Sequence, residues 1–384
     1  MFAERFKDRL MLQQQTGLYR KPPEVKERDG KYLIIEGRRV LNFASNDYLG
    51  LGISEELRNR AARNFGKYGT SSSSSRLVSG NYSIINRAEK EYASYFGYRD
   101  AIFFPSGYQA NLGILSTILE RGDTVIFDKH VHASSVKGIA MSGANFLGYN
   151  HNSMPHLGRR LKMCGKEQVA VLTESLFSMD GDVLDVDGLE KLKQRRCFLA
   201  IVDEAHAFGA IGSRGRGIAG SVADVAVGTF GKAFGFLGAF VLLPEGFKDY
   251  LFNFSSPLIY TTTLPEAHAA TALDILEIIE RSEDKRKHLR DVSQLLKERL
   301  RLEGFRVTGD AHILALEIGN EAKAASVARK LLQRDIFVLP ARYPTVPLHR
   351  SILRIGITAL HEEEDIKTFI HRVKEASGEL KQEN

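Results

Sequence analysis

Short apolar runs alternate with segments of helical periodicity from residue 98 to residue 242. An apolar run of about four to eight residues bounded by turn residues is typical of a buried strand, whereas apolar positions three and four apart indicate a helix. Strands that alternate with helices favour βαβ units and a mostly parallel sheet. The predicted strands are 101–104, 124–127, 145–148, 169–173, 198–202, 224–228 and 238–243.

The N-terminal part of the chain follows a different pattern. Residues 1–20 are predicted to form an amphipathic helix followed by an extended stretch through Lys21-Pro22-Pro23, because a proline pair opposes helix formation. Segments 31–35 and 38–43 predict a small hairpin that turns at Glu36-Gly37. Helices are predicted to begin near Ser54 and to cover about 83–96.

The C-terminal part combines helices and strands in a second arrangement. A long helical pattern covers 266–302. Beyond it, strands are predicted near 312–318 and 351–357, and helices near 321–334 and 361–376. These patterns predict an α/β fold in three parts: an N-terminal helix and hairpin arm (1–44), a large α/β domain (45–284) and a small α+β domain (285–384).

Composition places the chain among globular proteins. Its 384 residues are 43% hydrophobic and 26% charged, which is enough for a sizeable core. The net charge is +6, but the positive residues are scattered along the chain. We therefore expect a mildly basic surface and no nucleic-acid site, while attraction to an anionic substrate such as a coenzyme A ester is compatible with this charge.

Cysteine content and hydropathy narrow the cellular setting. Only Cys164 and Cys197 occur, which argues against a disulfide framework and a thiolate zinc site. The first nine residues are charged and amphipathic, unlike a signal peptide. No run approaches the roughly 20 apolar residues of a membrane-spanning helix. We expect a cytoplasmic protein with no membrane association.

Two segments 29 positions apart carry the strongest chemical signal. The apolar run from Phe198 ends in Asp203 and His206, and a second apolar approach, from Val222 to Val227, opens into glycines around Lys232. Ligands of α/β proteins bind where parallel strands deliver their carboxyl ends. An acid, an imidazole and an amine are therefore expected at one crevice.

This combination suits pyridoxal 5′-phosphate. A lysine in an apolar pocket has a lowered pKa and becomes nucleophilic, which favours imine chemistry at Lys232. A buried carboxylate such as that of Asp203 favours a ligand with a permanent cation. Pyridoxal phosphate requires both a lysine imine and an acid beside its pyridinium nitrogen.

The segment from Pro105 to Gly113 is the candidate phosphate site. It directly follows the apolar run 101–104 and opens a helical pattern, so its backbone N–H groups can meet an anion. Ser106 and Gly107 permit close approach of the backbone, and Tyr108 offers a ring near the ligand. A plain strand-to-helix turn would have a similar sequence.

Two glycine-rich segments resemble nucleotide-binding motifs, but neither meets the requirements of its motif. Residues 215–220 match G-x-G-x-x-G, but the match begins about a dozen residues after the predicted strand end, whereas the dinucleotide motif must follow a strand directly. Residues 228–232 fail the P-loop pattern because Ala226 replaces a glycine and Ala233 replaces the magnesium-binding Ser or Thr. A nucleotide-binding module is therefore a disfavoured alternative.

Three further polar segments are weak signals individually. His130 and His132 lie at a strand end without a third suitable ligand, so we predict no metal site. Residues 173–182 end another apolar run with polar groups, as expected at a sheet edge. The serine run 69–75 has the composition of a flexible linker, but it is followed at once by 76–80 and a helix, which places it inside a domain.

At these positions the sequence resembles the α-oxoamine synthases, a family of fold-type I pyridoxal-phosphate enzymes. The resemblance runs from Asn42-Phe-Ala-Ser-Asn-Asp-Tyr-Leu-Gly-Leu51 to Thr358-Ala-Leu-His-Glu362. The specific matches are Ser75–Gly80, Ser106–Tyr108, His132–Ser134, Phe177–Gly181, Asp203–His206, Gly215–Gly217, Thr229–Lys232 and Pro344–Pro347. The resemblance implies a mostly parallel central sheet with helices on both faces and a smaller C-terminal α+β domain.

The family's site residues map onto this chain one by one. The resemblance implies that Lys232 forms the imine with the cofactor and acts as base, Asp203 pairs with the pyridine nitrogen, His206 bonds the ring hydroxyl and His132 stacks on the ring. It further implies phosphate contacts and substrate contacts. The phosphate contacts are Gly107, Tyr108, Thr229, Ser178 and, from the partner of a homodimer, Thr262 or Thr263; the substrate contacts are Arg354, Thr358, Asn46 and, approximately, Arg20.

The resemblance also implies substrates. It favours decarboxylative condensation of L-alanine with a pimeloyl thioester, carried by coenzyme A or by acyl carrier protein, as in biotin biosynthesis. The alternative within the family is glycine with acetyl-CoA, because a pocket discriminates one methyl group by only about 1–3 kcal/mol. Two departures from the family bear on the pocket: Ser71–Ser75 replaces a more glycine-rich entrance, and Glu204 and Ala207-Phe208 flank His206.

Overall fold

The computed structural model describes residues 2–165 and 168–382. Its strands are β1 (Val25–Asp29), β2 (Tyr32–Ile35), β3 (Arg38–Asn42), β4 (Asp100–Phe104), β5 (Thr124–Asp128), β6 (Asn145–Tyr149), β7 (Val169–Glu174), β8 (Leu199–Asp203), β9 (Val225–Thr229), β10 (Ala239–Leu243), β11 (Val307–Thr308), β12 (Ile313–Gly319), β13 (Ile336–Phe337), β14 (Leu339–Ala341) and β15 (Ser351–Gly356).

The helices are numbered in the same way. They are α1 (Phe2–Gln15), α2 (Glu55–Tyr68), α3 (Ser83–Phe96), α4 (Gly107–Ile118), α5 (Ala133–Ser142), α6 (Met154–Met163), α7 (Val186–Arg195), α8 (Phe247–Phe254), α9 (Ser256–Ile259), α10 (Glu266–Glu280), α11 (Glu283–Leu302), α12 (Glu321–Gln333) and α13 (Glu363–Gln382). Among the described residues, no helix combines the length and the apolar character needed to cross a membrane.

The chain divides into two compact units. The larger unit comprises 51–178 and 183–286, and the other comprises 1–50, 179–182 and 287–384. The predicted division at residues 45 and 285 into an arm and two domains stays a prediction.

The larger unit is built on a seven-stranded sheet in the order β4-β10-β9-β8-β7-β5-β6. Strands β9, β8, β7, β5 and β6 are parallel, and β10 runs antiparallel to both β4 and β9. Apart from the edge strand β6, the strands are almost continuously buried, as their Val-, Ile- and Leu-rich sequences require when helices cover both faces. All seven predicted strands are confirmed, and β10 is the one antiparallel member.

The other unit contains two small sheets. One has the order β1-β2-β3-β13, in which the predicted hairpin at Glu36-Gly37 is confirmed and β1 is an addition. The second has the order β11-β12-β15-β14 and is antiparallel. Helix α1 ends at Gln15, earlier than predicted, because Gly17 follows with a φ of 68° that a right-handed helix does not allow.

The long helix predicted over 266–302 is wrong in one respect, since α10 and α11 are separate. The Ser282 hydroxyl turns back to donate to the Ile278 carbonyl at 2.6 Å, and Glu283 and Asp284 follow in the first turn of α11. Serine followed by acidic residues is a helix-start signal, because a serine side chain competes for backbone hydrogen bonds and acids favour helix N-termini.

Candidate active site

The parallel strands deliver acidic and hydroxyl side chains to one edge of the seven-stranded sheet. Glu174, Asp203 and Thr229 are the last residues of β7, β8 and β9. Glu174 pairs with Asp203 in the sheet register, and Asp203 pairs with Val227. Strand β4 runs in the same sense as β9, so the loop that follows Phe104 reaches the same edge.

Lys232 lies on a tight turn between β9 and β10. The turn is closed by hydrogen bonds from Phe230 N to Gly238 O and from Gly235 N to Lys232 O, both at 2.9 Å. The Thr229 hydroxyl also donates to Gly238 O at 3.0 Å. Phe230 is fully buried, so the turn is anchored in the core and presents a half-buried lysine.

Asp203 is held by two donors. Its Oδ1 accepts from Ala205 N and its Oδ2 from Asn111 Nδ2, each at 2.9 Å. The carboxylate is 7% exposed, so these bonds compensate for lost water. His206 lies in the turn after β8 and is also buried.

His132 caps the N-terminus of α5 close to both charged groups. Its Nδ1 lies 2.7 Å from Ser134 Oγ, and its ring packs edge-on to the Tyr108 ring at a centroid distance of 6.4 Å. Burial lowers the pKa of the His132 imidazole, the Asp203 carboxylate opposes this, and the Lys232 ammonium reinforces it. The structure thus brings Asp203 and Lys232 within electrostatic range of His132.

The N-terminus of α4 lies beside Thr229 and is the candidate anion site. Ser106 caps the helix by accepting from Gln109 N at 3.2 Å, and the N–H groups of Gly107 and Tyr108 lie in the first turn, where the helix supplies no carbonyl to accept them. A Cβ placed on Gly107 would lie 3.8 Å from Thr229 Cβ, so the two predicted phosphate residues face each other. Unpaired N–H groups at a helix N-terminus favour a phosphate.

Three other predicted phosphate residues lie on loops of the same unit. Ser178 follows β7, within the turn that the Leu176–Val183 bridge closes. Thr262 is exposed, whereas Thr263 is buried and donates its N–H to Ser74 O at 2.9 Å. The Ser72 hydroxyl donates to Thr263 O at 2.8 Å. The serine run is therefore bound to the threonine segment, and its placement inside a domain is confirmed.

The predicted substrate residues belong to the other unit. Arg354, on β15, donates through Nη2 to Asn46 Oδ1 at 3.1 Å and to the Tyr48 hydroxyl at 3.4 Å. Arg354 and Tyr48 are buried, and burial raises the pKa of Tyr48, an effect that the Arg354 charge opposes. The guanidinium, amide and phenol thus form one polar cluster.

Thr358 and Arg20 make local contacts within that unit. The Thr358 side chain is buried and lies 3.2 Å from His361 Nδ1, which also accepts from Thr358 N. Arg20 donates to Thr345 Oγ1 at 3.3 Å. The structure brings Arg354 and Asn46 together and gives Thr358 a place in the turn before α13.

Two buried polar residues lie in segments that the sequence singled out, but the sequence assigned neither of them a role. Glu174 accepts the His132 backbone N–H at 2.6 Å, and burial raises the pKa of its carboxyl well above the usual range, with a further contribution from Asp203 and opposition from Lys232. Asn111 lies in the apolar pattern of α4. A strand-end acid and a lone amide in an apolar helix were the signals available.

Glu204 explains the glycine-rich segment 215–220. Its buried carboxylate accepts from Ala219 N at 2.8 Å and Ile218 N at 3.3 Å, and burial raises its pKa to about 7. Gly217 has a φ of 74°, and a Cβ there would lie 2.4 Å from Glu204 Oε2. The glycines serve the loop between β8 and β9, which agrees with the rejection of a dinucleotide motif.

Known proteins resemble the chain along nearly its whole length. Residues 38–373 match the aminotransferase class I and II family. An 8-amino-7-oxononanoate synthase of Haemophilus ducreyi is 36% identical, over 95% of this chain and 98% of that protein. A serine palmitoyltransferase of Sphingomonas wittichii has a TM-score of 0.91 at 27% identity, covering 98% of this chain and 96% of the other. An 8-amino-7-oxononanoate synthase of Francisella tularensis has a TM-score of 0.77 at 30% identity, covering 90% and 98%.

The sheet with a lysine, a carboxylate and a helix N-terminus at its carboxyl edge defines a fold-type I pyridoxal-phosphate-dependent enzyme. The chain belongs to the aminotransferase class I and II family and, within it, to the α-oxoamine synthases.

The side chains at the edge fit the coenzyme. The two donors to the buried Asp203 carboxylate, Asn111 Nδ2 and Ala205 N, are uncharged. A carboxylate in this setting suits a positively charged pyridinium ring. The α4 N-terminus and Thr229 suit a phosphate, and Lys232 supplies an amine. Pyridoxal phosphate, when bound, supplies an electron sink for negative charge at the substrate α-carbon.

Proposed function

We propose that the protein catalyses the decarboxylative condensation of L-alanine with a pimeloyl thioester, giving 8-amino-7-oxononanoate, carbon dioxide and free thiol. The observation that carries this proposal is the arrangement of Lys232, Asp203 and His132 at one sheet edge, in a chain with 36% identity to a synthase of that name. The arrangement supports the chemistry, and the relative's name supports the substrates.

Lys232 would hold the coenzyme through its amine and then accept the α-proton of the amino acid. Its turn is fixed by four backbone hydrogen-bonding groups, so Nζ moves on a rigid base. Asp203 would meet the pyridine nitrogen and keep it protonated, because a carboxylate held in place by two hydrogen bonds favours a cation opposite it. His206 would bind the ring hydroxyl and His132 would cover the ring face.

The phosphate would lie at the N-terminus of α4. The Gly107 and Tyr108 N–H groups and the Thr229 hydroxyl would bind it, with Ser178 nearby. The helix dipole adds a favourable charge interaction of roughly 0.3–1 kcal/mol.

The amino-acid carboxylate would pair with Arg354. A guanidinium can bind a carboxylate in a bidentate manner, and Asn46 and Tyr48 already orient one edge of this group. Arg20 and Thr358 are proposed to act near the acyl substrate.

A homodimer would complete the phosphate site through Thr262 or Thr263 of the second copy. Large apolar side chains are exposed around this segment, as they are at surfaces that bind other proteins. Tyr260 is 81% exposed and Val78 is 80% exposed, beside the bound serine and threonine segments. These residues are proposed to contact the second copy.

The testing experiment compares substrate pairs on purified enzyme. L-alanine, glycine and L-serine are each combined with pimeloyl-, acetyl- and palmitoyl-CoA, and thiol release is followed together with carbon dioxide. L-serine and the palmitoyl donor enter because of the name of the Sphingomonas wittichii structure. Turnover of L-alanine with the pimeloyl thioester at the highest kcat/KM supports the proposal, and turnover of glycine with acetyl-CoA alone overturns the substrate assignment.

A second kinetic experiment identifies the carrier of the acyl group. Pimeloyl-CoA and pimeloyl-acyl carrier protein are supplied at equal concentrations with L-alanine, and kcat/KM is measured for each. The net charge of +6 is compatible with either acidic donor.

A further inference from the structure

A chain of buried hydrogen bonds links Asp203 to His132. Asn111, on α4, is 3% exposed, and its Nδ2 lies 2.9 Å from Asp203 Oδ2 and 3.0 Å from Ser134 Oγ. Ser134 is fully buried, and its Oγ lies 2.7 Å from His132 Nδ1. Two side chains, those of Asn111 and Ser134, thus connect the carboxylate to the imidazole.

The chemistry of these groups gives the chain a direction. An ionised carboxylate only accepts, so Asn111 must present its NH2 group, and the second hydrogen of that group points to Ser134 Oγ. The Ser134 oxygen therefore accepts from Asn111, and its own hydrogen is free to donate to His132 Nδ1. The Ser134 N–H also points to Nδ1, at 3.3 Å. With two donors directed at Nδ1, the neutral ring carries its hydrogen on Nε2.

We infer that Asn111 is a positioning residue for the coenzyme-binding groups: it orients the Asp203 carboxylate and, through Ser134, fixes His132 as the Nε2–H tautomer. This inference rests on the proposed function, in which Asp203 meets the pyridine nitrogen. Asn111 acts through Asp203 and Ser134 and is not itself catalytic.

The loss of Asn111 acts on one oxygen of a carboxylate that has little access to water. Ala205 N holds Oδ1, so Asn111 is the side-chain donor that fixes the rotation of the carboxylate about its Cβ–Cγ bond. Hydrogen bonds to charged groups are stronger than those between neutral groups. Removal of this donor therefore weakens the interaction of Asp203 with a ring nitrogen more than it weakens contacts elsewhere on the ligand.

The experiment measures the affinity of the apoenzyme for two ligands. One is pyridoxal phosphate, and the other is its analogue with C–H in place of the ring nitrogen, which has no group for Asp203 to pair with. Wild-type protein should prefer pyridoxal phosphate. In Asn111→Leu the preference should fall on the order of tenfold, because the variant keeps the side-chain volume and lacks both donors.

A matched control lies on the same helix. Gln109 Nε2 donates to Pro257 O at 2.6 Å, so Gln109→Leu removes an amide hydrogen bond that does not involve Asp203. This control should keep the wild-type preference between the two ligands. Equal loss of affinity for both ligands in Asn111→Leu would show a merely structural role and overturn the inference. Absence of any preference in wild-type protein would instead overturn the placement of Asp203 against the ring nitrogen in the proposed function.

A measurement on wild-type protein needs no substitution at Asn111. The chain has 11 histidines, and the ¹⁵N resonances of the His132 ring are assigned by comparison with His132→Gln. The directed chain predicts a hydrogen on Nε2 and a bare, hydrogen-bonded Nδ1 in the folded apoenzyme. A hydrogen on Nδ1 would contradict the inference independently of the affinity experiment, for example if the Asn111→Leu protein did not fold.

Discussion

His268 Nε2 donates a hydrogen bond of 2.6 Å to the carbonyl of Leu237, at the end of the turn that carries Lys232. The imidazole is buried on α10 and is surrounded by aromatic rings, with Phe236 at 4.8 Å and Phe230 at 5.0 Å between centroids. The carbonyl can only accept, so the ring hydrogen lies on Nε2. The lysine turn is thus tied to a helix as well as to the sheet.

The buried position of His268 makes the stability of the folded protein depend on pH. Burial lowers the pKa of His268 from 6.5 to about 4. Between these values the unfolded chain binds a proton that the folded chain does not, so the free energy of unfolding falls as the pH falls, by up to about 1.4 kcal/mol per pH unit. His268→Gln keeps an N–H donor and lacks this titration. The free energy of unfolding, measured by urea denaturation between about pH 5 and pH 7, should change less steeply with pH in the variant than in the wild type. An equal dependence on pH in the two proteins would contradict the assignment.

A methyl group at Gly217 should destabilise the loop that Glu204 holds. The new Cβ would lie 2.4 Å from Glu204 Oε2, and the φ of 74° disfavours any side chain. We expect Gly217→Ala to lower the free energy of unfolding by about 1–3 kcal/mol in urea denaturation. Gly220→Ala is the matched control, since a Cβ there has no atom within 4 Å, and it should change stability by less than about 0.5 kcal/mol. Similar effects of the two substitutions would be inconsistent with a close approach at Gly217.

Substitution of Lys232 should separate coenzyme retention from proton transfer. Lys232→Ala should bind pyridoxal phosphate without a covalent bond, since the proposed phosphate and ring contacts lie on other residues. Exchange of the L-alanine α-proton with deuterated solvent, followed by NMR, should slow by about 10²–10⁴-fold or more because the base is missing. Borohydride reduction should attach the coenzyme to wild-type protein and leave the variant unlabelled. Exchange of the α-proton at the wild-type rate in Lys232→Ala would show that this lysine is not the base.

Arg354 should determine affinity for the amino acid more than turnover of the acyl donor. Arg354→Lys keeps the charge but loses the second N–H of the fork, so the KM for L-alanine should rise by on the order of tenfold to a hundredfold while the KM for the thioester changes little. Tyr48→Phe removes the weaker contact at 3.4 Å and should cause a smaller rise in the KM for L-alanine. A larger effect of Tyr48→Phe than of Arg354→Lys would argue against a carboxylate at the guanidinium.

The local signals in the sequence identified most of the larger unit. Each strand from β4 to β10 is an apolar run ended by polar or glycine residues, and such a run is informative without knowledge of its neighbours. Lys232 and Asp203 stand at the ends of two of these runs, so both could be assigned to one edge. The division between α10 and α11 was missed because periodicity continues across Ser282, while the helix-start signal is confined to that serine and the two acidic residues after it.

Residues whose role depends on pairing across the sheet could not be identified from the sequence. Glu174 matters because β7 lies beside β8, and Asn111 matters because α4 packs at the end of β8. Neither relationship is encoded near the residue itself. Thr358 was expected near the acyl substrate, but its hydrogen bonds to His361 depend on a turn that sequence periodicity does not describe.

The close approach of Gly107 and Thr229 depends on a strand that comes late in the chain. Gly107 follows β4 and Thr229 ends β9, and the strand that joins β4 to β9 in the sheet is β10, the last of the seven to leave the ribosome. Without β10, no strand of the sheet holds Gly107 and Thr229 at a fixed separation. We therefore expect coenzyme binding to require the completed sheet, and chains that end before Ala239 should remain colourless.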